Sequence, residues 1–66
     1  MSIVGRTLRS TALSYAQYDE DTETLTVDFV NGRTYTHEGV PKNLYDQLVE
    51  APSPGQFYNS FIRGAF

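Results

Sequence analysis

The segment Leu25–Pro41, LTVDFVNGRTYTHEGVP, decides the fold because it holds two alternating runs on either side of an Asn31-Gly32 turn. Residues 25–29 alternate apolar and polar side chains, which is the period of a half-buried strand. Residues 33–37 return as a second strand after the turn. Pro41 then opens a helical pattern, since proline is tolerated in the first turn of a helix. The segment therefore predicts a β-hairpin that leads into a helix.

The length of the turn decides which side chains share a face of this hairpin. A two-residue turn pairs Phe29 with Thr34 and places Tyr35 on the face opposite the apolar residues of the first strand. A three-residue turn, with Gly32 in the left-handed conformation as a bulge, pairs Phe29 with Arg33 instead. Because register follows burial of the apolar set, we favour the three-residue turn. It collects on one face Leu25, Val27, Phe29, Tyr35 and His37.

The residues before the hairpin predict one further strand. Residues 10–18 are rich in Ser, Thr, Leu and Tyr, and a bulge would bring their apolar side chains onto one face. Residues 19–24 form a polar connection, and their alternating acids lack the glycine and the distal glutamate of a calcium loop. Residues 1–9 have no clean pattern, so we interpret them as a loose N-terminal arm or an edge segment. Residues 10–66 are then a single domain.

Two helices follow the hairpin. The segment from Val40 to Ala51 has apolar residues at helical spacing, and Pro52 cannot continue that helix. The sequence SPGQ at residues 53–56 has the form of a capping box, and it opens a second helix that runs to about Arg63. The predicted fold class is α+β, a three-stranded antiparallel β-meander followed by two short helices packed on one face, in the order β-β-β-α-α.

The composition bounds the size of the fold and the means of stabilising it. Sixty-six residues allow one small domain, which buries only about 60% of the surface of its unfolded chain. The absence of cysteine excludes disulfides, and a single histidine disfavours a structural zinc site. We therefore predict no cofactor and no metal, and self-association is the remaining support for so small a fold.

Charge and hydropathy exclude further classes of protein. Eight acidic and five basic residues give a net charge of −3, which disfavours RNA binding through bulk electrostatics. No apolar run approaches the length of about 20 residues that a membrane helix needs. The first residues, MSIVGRTLRS, lack the apolar core and the cleavage site of a signal peptide. We expect a cytoplasmic protein with no membrane contact.

One series of residues extends through most of the chain, and its order and spacing are more specific than any single member. It comprises Ser10, Ala12, Tyr18, Asp19, Leu25, Val27, Phe29, Gly32, Tyr35, Val40, Pro41, Tyr45, Leu48, Ala51, Ser53, Gly55, Phe57, Tyr58, Asn59, Ile62 and Arg63. With this series the chain resembles the KTSC domain family, small bacterial and phage domains named for their occurrence at the C-terminus of some lysyl-tRNA synthetases. The resemblance implies no assigned activity, and it suggests RNA binding through the attachment to a tRNA synthetase. The family's Tyr-x-Tyr pair is represented here by Tyr35, with His37 where the second tyrosine is expected.

The first candidate surface is a sheet face that carries Arg33, Tyr35 and His37, joined by Arg63. Bases could stack on its aromatic rings while the arginines hold phosphates, each stacked base contributing about 1–3 kcal/mol. In the alternative, Tyr35 packs beneath the helices with its hydroxyl bonded at the edge. This alternative is favoured by the hairpin register, which places Tyr35 on the apolar face, and by the net negative charge of the chain.

The second candidate is the pair Asn59 and Arg63, which are four residues apart and share a helix face. Their amide and guanidinium groups could together hold a carboxylate, a phosphate or a backbone carbonyl. In the alternative, Arg63 anchors the helix end near its negative dipole, or pairs with an acidic residue of the sheet. The candidate binding residues are thus Arg33, Tyr35, His37, Asn59 and Arg63.

Enzyme chemistry has no candidate residues. His37 has no second histidine at metal spacing, and no serine lies in a nucleophile elbow, so we predict no catalytic residue and a half-buried structural role for His37. The leading hypothesis is a non-enzymatic interaction module acting through protein–protein contacts. It would work as a homodimer, or as a phage or mobile-element accessory protein that binds a host protein. The alternatives are an RNA-binding module of the tRNA type and a binder of a small anionic ligand.

Overall fold

A computed structural model describes residues 2–66 and shows an α+β fold. Its antiparallel sheet has the order β1-β2-β3-β4, with the strands Ile3–Thr7, Leu13–Asp19, Thr24–Phe29 and Thr34–His37. The helices are α1 (Lys42–Glu50) and α2 (Pro54–Phe57), and α2 continues as a π-helical turn over Tyr58–Ile62, here called the π turn. Residues of the sheet and of both helices join one buried cluster, which comprises Leu8, Leu13, Ala16, Tyr18, Leu25, Val27, Val40, Tyr45, Leu48, Tyr58 and Ile62.

The number of strands differs from the prediction of three. Residues Ile3–Thr7, within the segment interpreted as a loose arm or an edge segment, form an edge strand that pairs antiparallel with β2. Val4 lies opposite Tyr18, and Arg6 lies opposite Ala16. All five residues of β1 are exposed, so the strand has no apolar alternation that sequence reasoning could detect. An edge strand of this kind is held by the hydrogen bonds of its neighbour, which depend on tertiary structure.

The hairpin has the predicted three-residue turn. The backbone N–H of Phe29 donates to the carbonyl oxygen of Arg33 at 2.8 Å, and Val27 lies opposite Tyr35. Gly32 has φ 90, the left-handed conformation that the bulge requires. The preferred register is therefore confirmed, and β3 and β4 place Tyr35 on the same face as the buried Val27.

The predicted bulge in the strand before the hairpin is also present. The pairing of β2 with β3 shifts register between Leu13 and Tyr15. This shift brings Leu13, Ala16 and Tyr18 into the core, although they do not alternate regularly along the strand.

The helix ends follow the prolines and the last glycine, with one difference from prediction. Pro41 is the N-cap residue of α1, and Gly64 stops the second helix with φ 84. Ser53 is the N-cap residue of α2, but its side chain makes no capping hydrogen bond, so the predicted capping box is wrong. The main chain connects Ser53 to the helix instead, because its carbonyl oxygen accepts from the N–H of Phe57 at 3.0 Å.

Candidate ligand cleft

A cleft of about 330 Å³ opens between the β3–β4 hairpin and the π turn. Its lining comprises Phe29, Asn31, Arg33, Tyr35, His37, Tyr58, Asn59 and Arg63. All five candidate binding residues are among them, although 20 residues of sequence separate the hairpin from the π turn. Two arginines and no carboxylate line the cleft, so its local charge is opposite to the net charge of the protein.

Aromatic rings form the base of the cleft. The ring of Phe29 meets the ring of Tyr58 edge to face, with centroids 5.4 Å apart, and meets that of Tyr35 in the same way at 5.3 Å. These are the arrangements that aromatic pairs prefer. Together they hold three rings of hairpin and π turn in fixed relative positions.

Tyr35 is not packed beneath the helices, contrary to the favoured alternative. Its side chain lies on the predicted face of the sheet, yet 42% of the residue is exposed. The reason is the position of β4, which is an edge strand and has three of its four residues exposed. One side of the Tyr35 ring thus contacts Phe29, while the rest is accessible to a ligand.

His37 is half-buried, as expected, and is fixed by two contacts. Its Nε2 atom lies 2.7 Å from the hydroxyl oxygen of Tyr58, and its Nδ1 atom lies 3.4 Å from the main-chain oxygen of Phe66. Because a main-chain oxygen can only accept, a neutral ring that bonds Phe66 carries its proton on Nδ1. Nε2 is then the acceptor, and the hydroxyl of Tyr58 donates to it.

Tyr58 is the buried member of the cleft, with 3% of its surface exposed. Burial raises the pKa of its hydroxyl above the usual value, and the nearby Tyr35 adds to the rise, while Arg63 lowers the pKa. Tyr58 therefore remains a neutral hydrogen-bond donor near neutral pH. It links the π turn to β4 through His37.

The π turn presents Asn59 and Arg63 to the cleft. The N–H of Arg63 donates to the carbonyl oxygen of Tyr58 at 2.8 Å, the i→i+5 bond of a π-helix. Both side chains are exposed, and within residues 2–66 neither takes part in a hydrogen bond or an ion pair. Arg63 does stand at the helix end, as its C-cap residue, but in this part of the chain it pairs with no acid of the sheet.

The hairpin turn supplies Arg33 from the opposite side of the cleft. The N–H of Arg33 donates to the side-chain oxygen of Asn31 at 3.0 Å, which fixes the turn locally. The guanidinium group of Arg33 is exposed and has no ion pair among the described residues. Arg33 and Arg63 are therefore both available to an anion.

Sequence reasoning missed three lining residues, Phe29, Asn31 and Tyr58. Phe29 and Tyr58 were indicated only as apolar positions, and Asn31 only as a turn residue. No local pattern reports that a turn and a helix distant in the chain face each other. One signal was available in the sequence. Tyr58 is an apolar helix position next to the candidate residue Asn59, and the structure buries Tyr58 and exposes Asn59.

A second groove lies between the two helices, and Asp46, Gln47 and Glu50 line it beside its apolar residues. It has a volume of about 410 Å³, and Ala51, Pro52 and Phe57 are among its lining residues. The ring of Phe57 lies 4.7 Å from that of Phe61, and Phe61 is 56% exposed. The protein–protein contact expected from the sequence, the homodimer included, stays a prediction.

In the described part of the chain, neither a group of metal ligands nor a membrane-spanning helix is found. Residues 2–66 contain no group of three or more His, Cys, Asp or Glu side chains placed to hold a metal ion. Over the same residues, neither helix combines the length and the hydropathy that a membrane span requires.

Comparison with known proteins adds a family and a fold. The family model of the KTSC domain matches residues 9–66. A KTSC domain protein from Yersinia pestis has a crystal structure that superimposes with a TM-score of 0.91 and 28% identity, covering 98% of this chain and 92% of that one. Strand β1 lies before the matched residues, but the superposition covers nearly the whole chain.

The curated relatives include both long and short proteins. The lysine–tRNA ligase of Nostoc punctiforme is 43% identical over 49 residues, which are 74% of this chain and 9% of the ligase. The ligase of Trichormus variabilis is 40% identical over 50 residues, again 9% of its length. A protein of Tsukamurella paurometabola is 34% identical over 59 residues, covering 89% of this chain and 88% of that protein. The chain thus spans a small part of the ligases and most of the shorter relative.

Proposed function

Because this chain belongs to the KTSC domain family, which has members within lysine–tRNA ligases, we propose that it is a non-enzymatic module that binds single-stranded RNA in the cleft. The observation that carries the proposal is the combination in one cleft of an exposed tyrosine ring, two free guanidinium groups and no carboxylate. A nucleotide has a flat base and an anionic phosphate, and these groups are complementary to that combination.

The base is assigned to Tyr35. Its ring is held by Phe29 and still exposes 42% of the residue, so a base can stack without displacing another side chain. Stacking of one base on an aromatic side chain contributes about 1–3 kcal/mol and tolerates any base. The exposed amide of Asn59 lines the same cleft and offers both a donor and an acceptor.

The phosphates are assigned to Arg33 and Arg63. They approach the cleft from the hairpin turn and from the π turn, so an RNA strand would lie between the two elements. The net charge of −3 counts against RNA binding only if charges are evenly spread. A cleft that is lined by two arginines and by no carboxylate concentrates a positive field where the ligand binds.

The test is a titration of labelled single-stranded RNA and of tRNA, followed by fluorescence anisotropy at low and raised salt. Tyr35→Ala should weaken binding by about 1–3 kcal/mol, which corresponds to about 5- to 150-fold in Kd. Arg63→Gln should weaken binding and reduce the slope of log K against log salt by about 0.7, the value for one phosphate contact with a single strand.

The matched control is Lys42→Gln, which removes the same charge from a lysine that pairs with Asp46 on α1 and lies outside the cleft. It should leave the Kd within about twofold, since an exposed ion pair contributes little. Absence of binding at low salt would refute the proposal. An Arg63→Gln variant that melts earlier yet binds as well as the wild type would show that Arg63 is structural.

A further inference from the structure

The arginines of the protein are concentrated toward one end of the sheet. Adjacent strands are antiparallel, so the β1–β2 loop and the β3–β4 turn lie at the same end, and the β2–β3 connection lies at the other. A hydrogen bond of 2.9 Å from the N–H of Val30 to the carbonyl oxygen of Ala12 joins the loop to the turn. Arg6, Arg9 and Arg33 belong to this end, here called the arginine end.

Acidic residues are concentrated at the opposite end. The end of β2 and the β2–β3 connection carry Asp19, Glu20, Asp21 and Glu23 in close succession. The start of α1 is also there, because the N–H of Val40 donates to the carbonyl oxygen of Glu23 at 2.9 Å. The net charge of −3 therefore combines basic residues at one end of the sheet with a larger number of acidic residues, most of them elsewhere. Asp28 of β3 is the acid at the arginine end, where its carboxylate accepts from the hydroxyl of Thr34 at 2.8 Å, and Glu50 stands at the last position of α1.

Arg6 and Arg9 form a second cationic cleft at the arginine end. The cleft has a volume of about 300 Å³, and its lining contains no carboxylate. Leu8, between the two arginines, is buried, and its N–H donates to the carbonyl oxygen of Ser14 at 2.9 Å. This anchor fixes the backbone on which both arginines stand. Like Arg33 and Arg63, they make no ion pair with any residue from 2 to 66.

We propose that the arginine end extends the ligand cleft into a continuous phosphate-binding surface, so that the ligand is an RNA strand of several nucleotides lying across the end of the sheet. This inference rests on the proposed function. Arg6 and Arg9 line a cleft beside β1, while Arg33 and Arg63 line the cleft beside the β3–β4 hairpin, and β1 and β4 are the opposite edges of the sheet. Three inter-strand spacings of about 4.8 Å separate these edges by roughly 14 Å, more than one nucleotide can span. A mononucleotide would therefore reach only the cleft of Tyr35.

The test compares uridine monophosphate, triuridylate and decauridylate by isothermal titration. We expect affinity to rise from the mononucleotide to the decanucleotide. In the double variant Arg6→Gln/Arg9→Gln, binding of the mononucleotide should be unchanged, while the decanucleotide should bind less tightly. Its slope of log K against log salt should fall by about 1.4, the value for two lost phosphate contacts. The thermal melting curve of the variant verifies that it folds.

The matched control is Lys42→Glu, which alters the net charge by the same two units at the other end of the fold. If this control weakens decanucleotide binding as much as the double variant does, the effect is one of net charge, and the phosphate surface is refuted. The surface is also refuted if the double variant retains the full affinity and salt slope, and the proposed function then survives through the cleft alone. If none of the three probes binds at low salt, both proposals fail.

Discussion

The hydroxyl of Tyr18 joins the sheet to the start of α1. It donates to the carbonyl oxygen of Val40 at 2.6 Å in a site where both residues are fully buried, and its ring stacks on Tyr45 at 5.4 Å. Tyr18→Phe would keep the packing and leave that oxygen without a partner. We expect a loss of about 1–3 kcal/mol in the free energy of unfolding. For a domain of this size each kcal/mol lowers the Tm by about 4–8 °C, which thermal melting would detect.

Tyr45→Phe is the control for this prediction. The hydroxyl of Tyr45 makes no hydrogen bond to any residue in the described range, so its removal should change the free energy of unfolding by less than about 0.5 kcal/mol. Equal losses in the two variants would mean that the bond to Val40 does not stabilise the fold.

For Tyr35, the predicted hairpin register is correct, but the predicted burial of the side chain is wrong. The period of the hairpin assigns its side chain to the apolar face, and the structure agrees. The exposure depends on how far the helices extend over β4, which is a property of the packing. That difference turns an expected core residue into a candidate base-stacking surface.

At the level of elements, α2 approaches the β1–β2 loop closely at Gly55. A Cβ atom at this position would lie 3.0 Å from the Cβ of Ala12, closer than side chains normally pack. Gly55→Ala improves helix propensity by up to about 1 kcal/mol, but overpacking costs about 1–3 kcal/mol. We expect a net loss of about 1 kcal/mol in the free energy of unfolding, measured with urea.

A double-mutant cycle with Ala12→Gly isolates this contact. When the facing methyl group is absent, Gly55→Ala should become neutral or stabilising, with a coupling energy of at least about 0.5 kcal/mol. If Gly55→Ala has the same effect in the wild-type protein and in the Ala12→Gly variant, the two elements do not restrict each other.

The π turn contributes residues both to the buried core and to the candidate cleft. Its buried residues Tyr58 and Ile62 belong to the core, while Asn59 and Arg63 face the cleft. An i→i+5 bond replaces the α-helical one at Arg63, and such insertions occur frequently at functional sites. Nothing in the composition of residues 58–62 distinguishes this turn from an α-helix, so the sequence predicts only a helix here.

At the level of the whole molecule, stability should fall at alkaline pH. Burial raises the pKa of Tyr18, Tyr45 and Tyr58, with further increases from Glu23 at Tyr18, Tyr15 at Tyr45 and Tyr35 at Tyr58. The unfolded chain ionises its tyrosines near pH 10 and binds fewer protons than the folded chain above that value. Stability is therefore fully present below pH 10 and lost as the pH rises above it.

Urea unfolding between pH 8 and pH 11 measures this dependence. Each contributing tyrosine should lower the free energy of unfolding by at most about 1.4 kcal/mol per pH unit above 10. A free energy that stays constant to pH 11 would contradict the burial of these hydroxyl groups. In Tyr58→Phe the dependence should weaken, since one of the three groups is absent.

The sequence by itself determined the parts of this protein that depend on near neighbours. The turn at Gly32, the register that follows from it, the bulge in β2 and the end of the last helix at Gly64 all agree with the structure. Each is set by the conformational range of one glycine or by the alternation of a few side chains. Such signals lie within a handful of residues and can be read without knowing the rest of the fold.

Only the tertiary structure decided the remaining parts. Strand β1 forms without an apolar pattern because β2 provides its hydrogen bonds, and Tyr35 is exposed because it lies on the edge strand β4. Arg33 and Arg63 meet in one cleft only because the hairpin and the π turn pack together through Phe29 and Tyr58. Contacts between distant segments depend on the whole arrangement of buried surface, which no local period encodes.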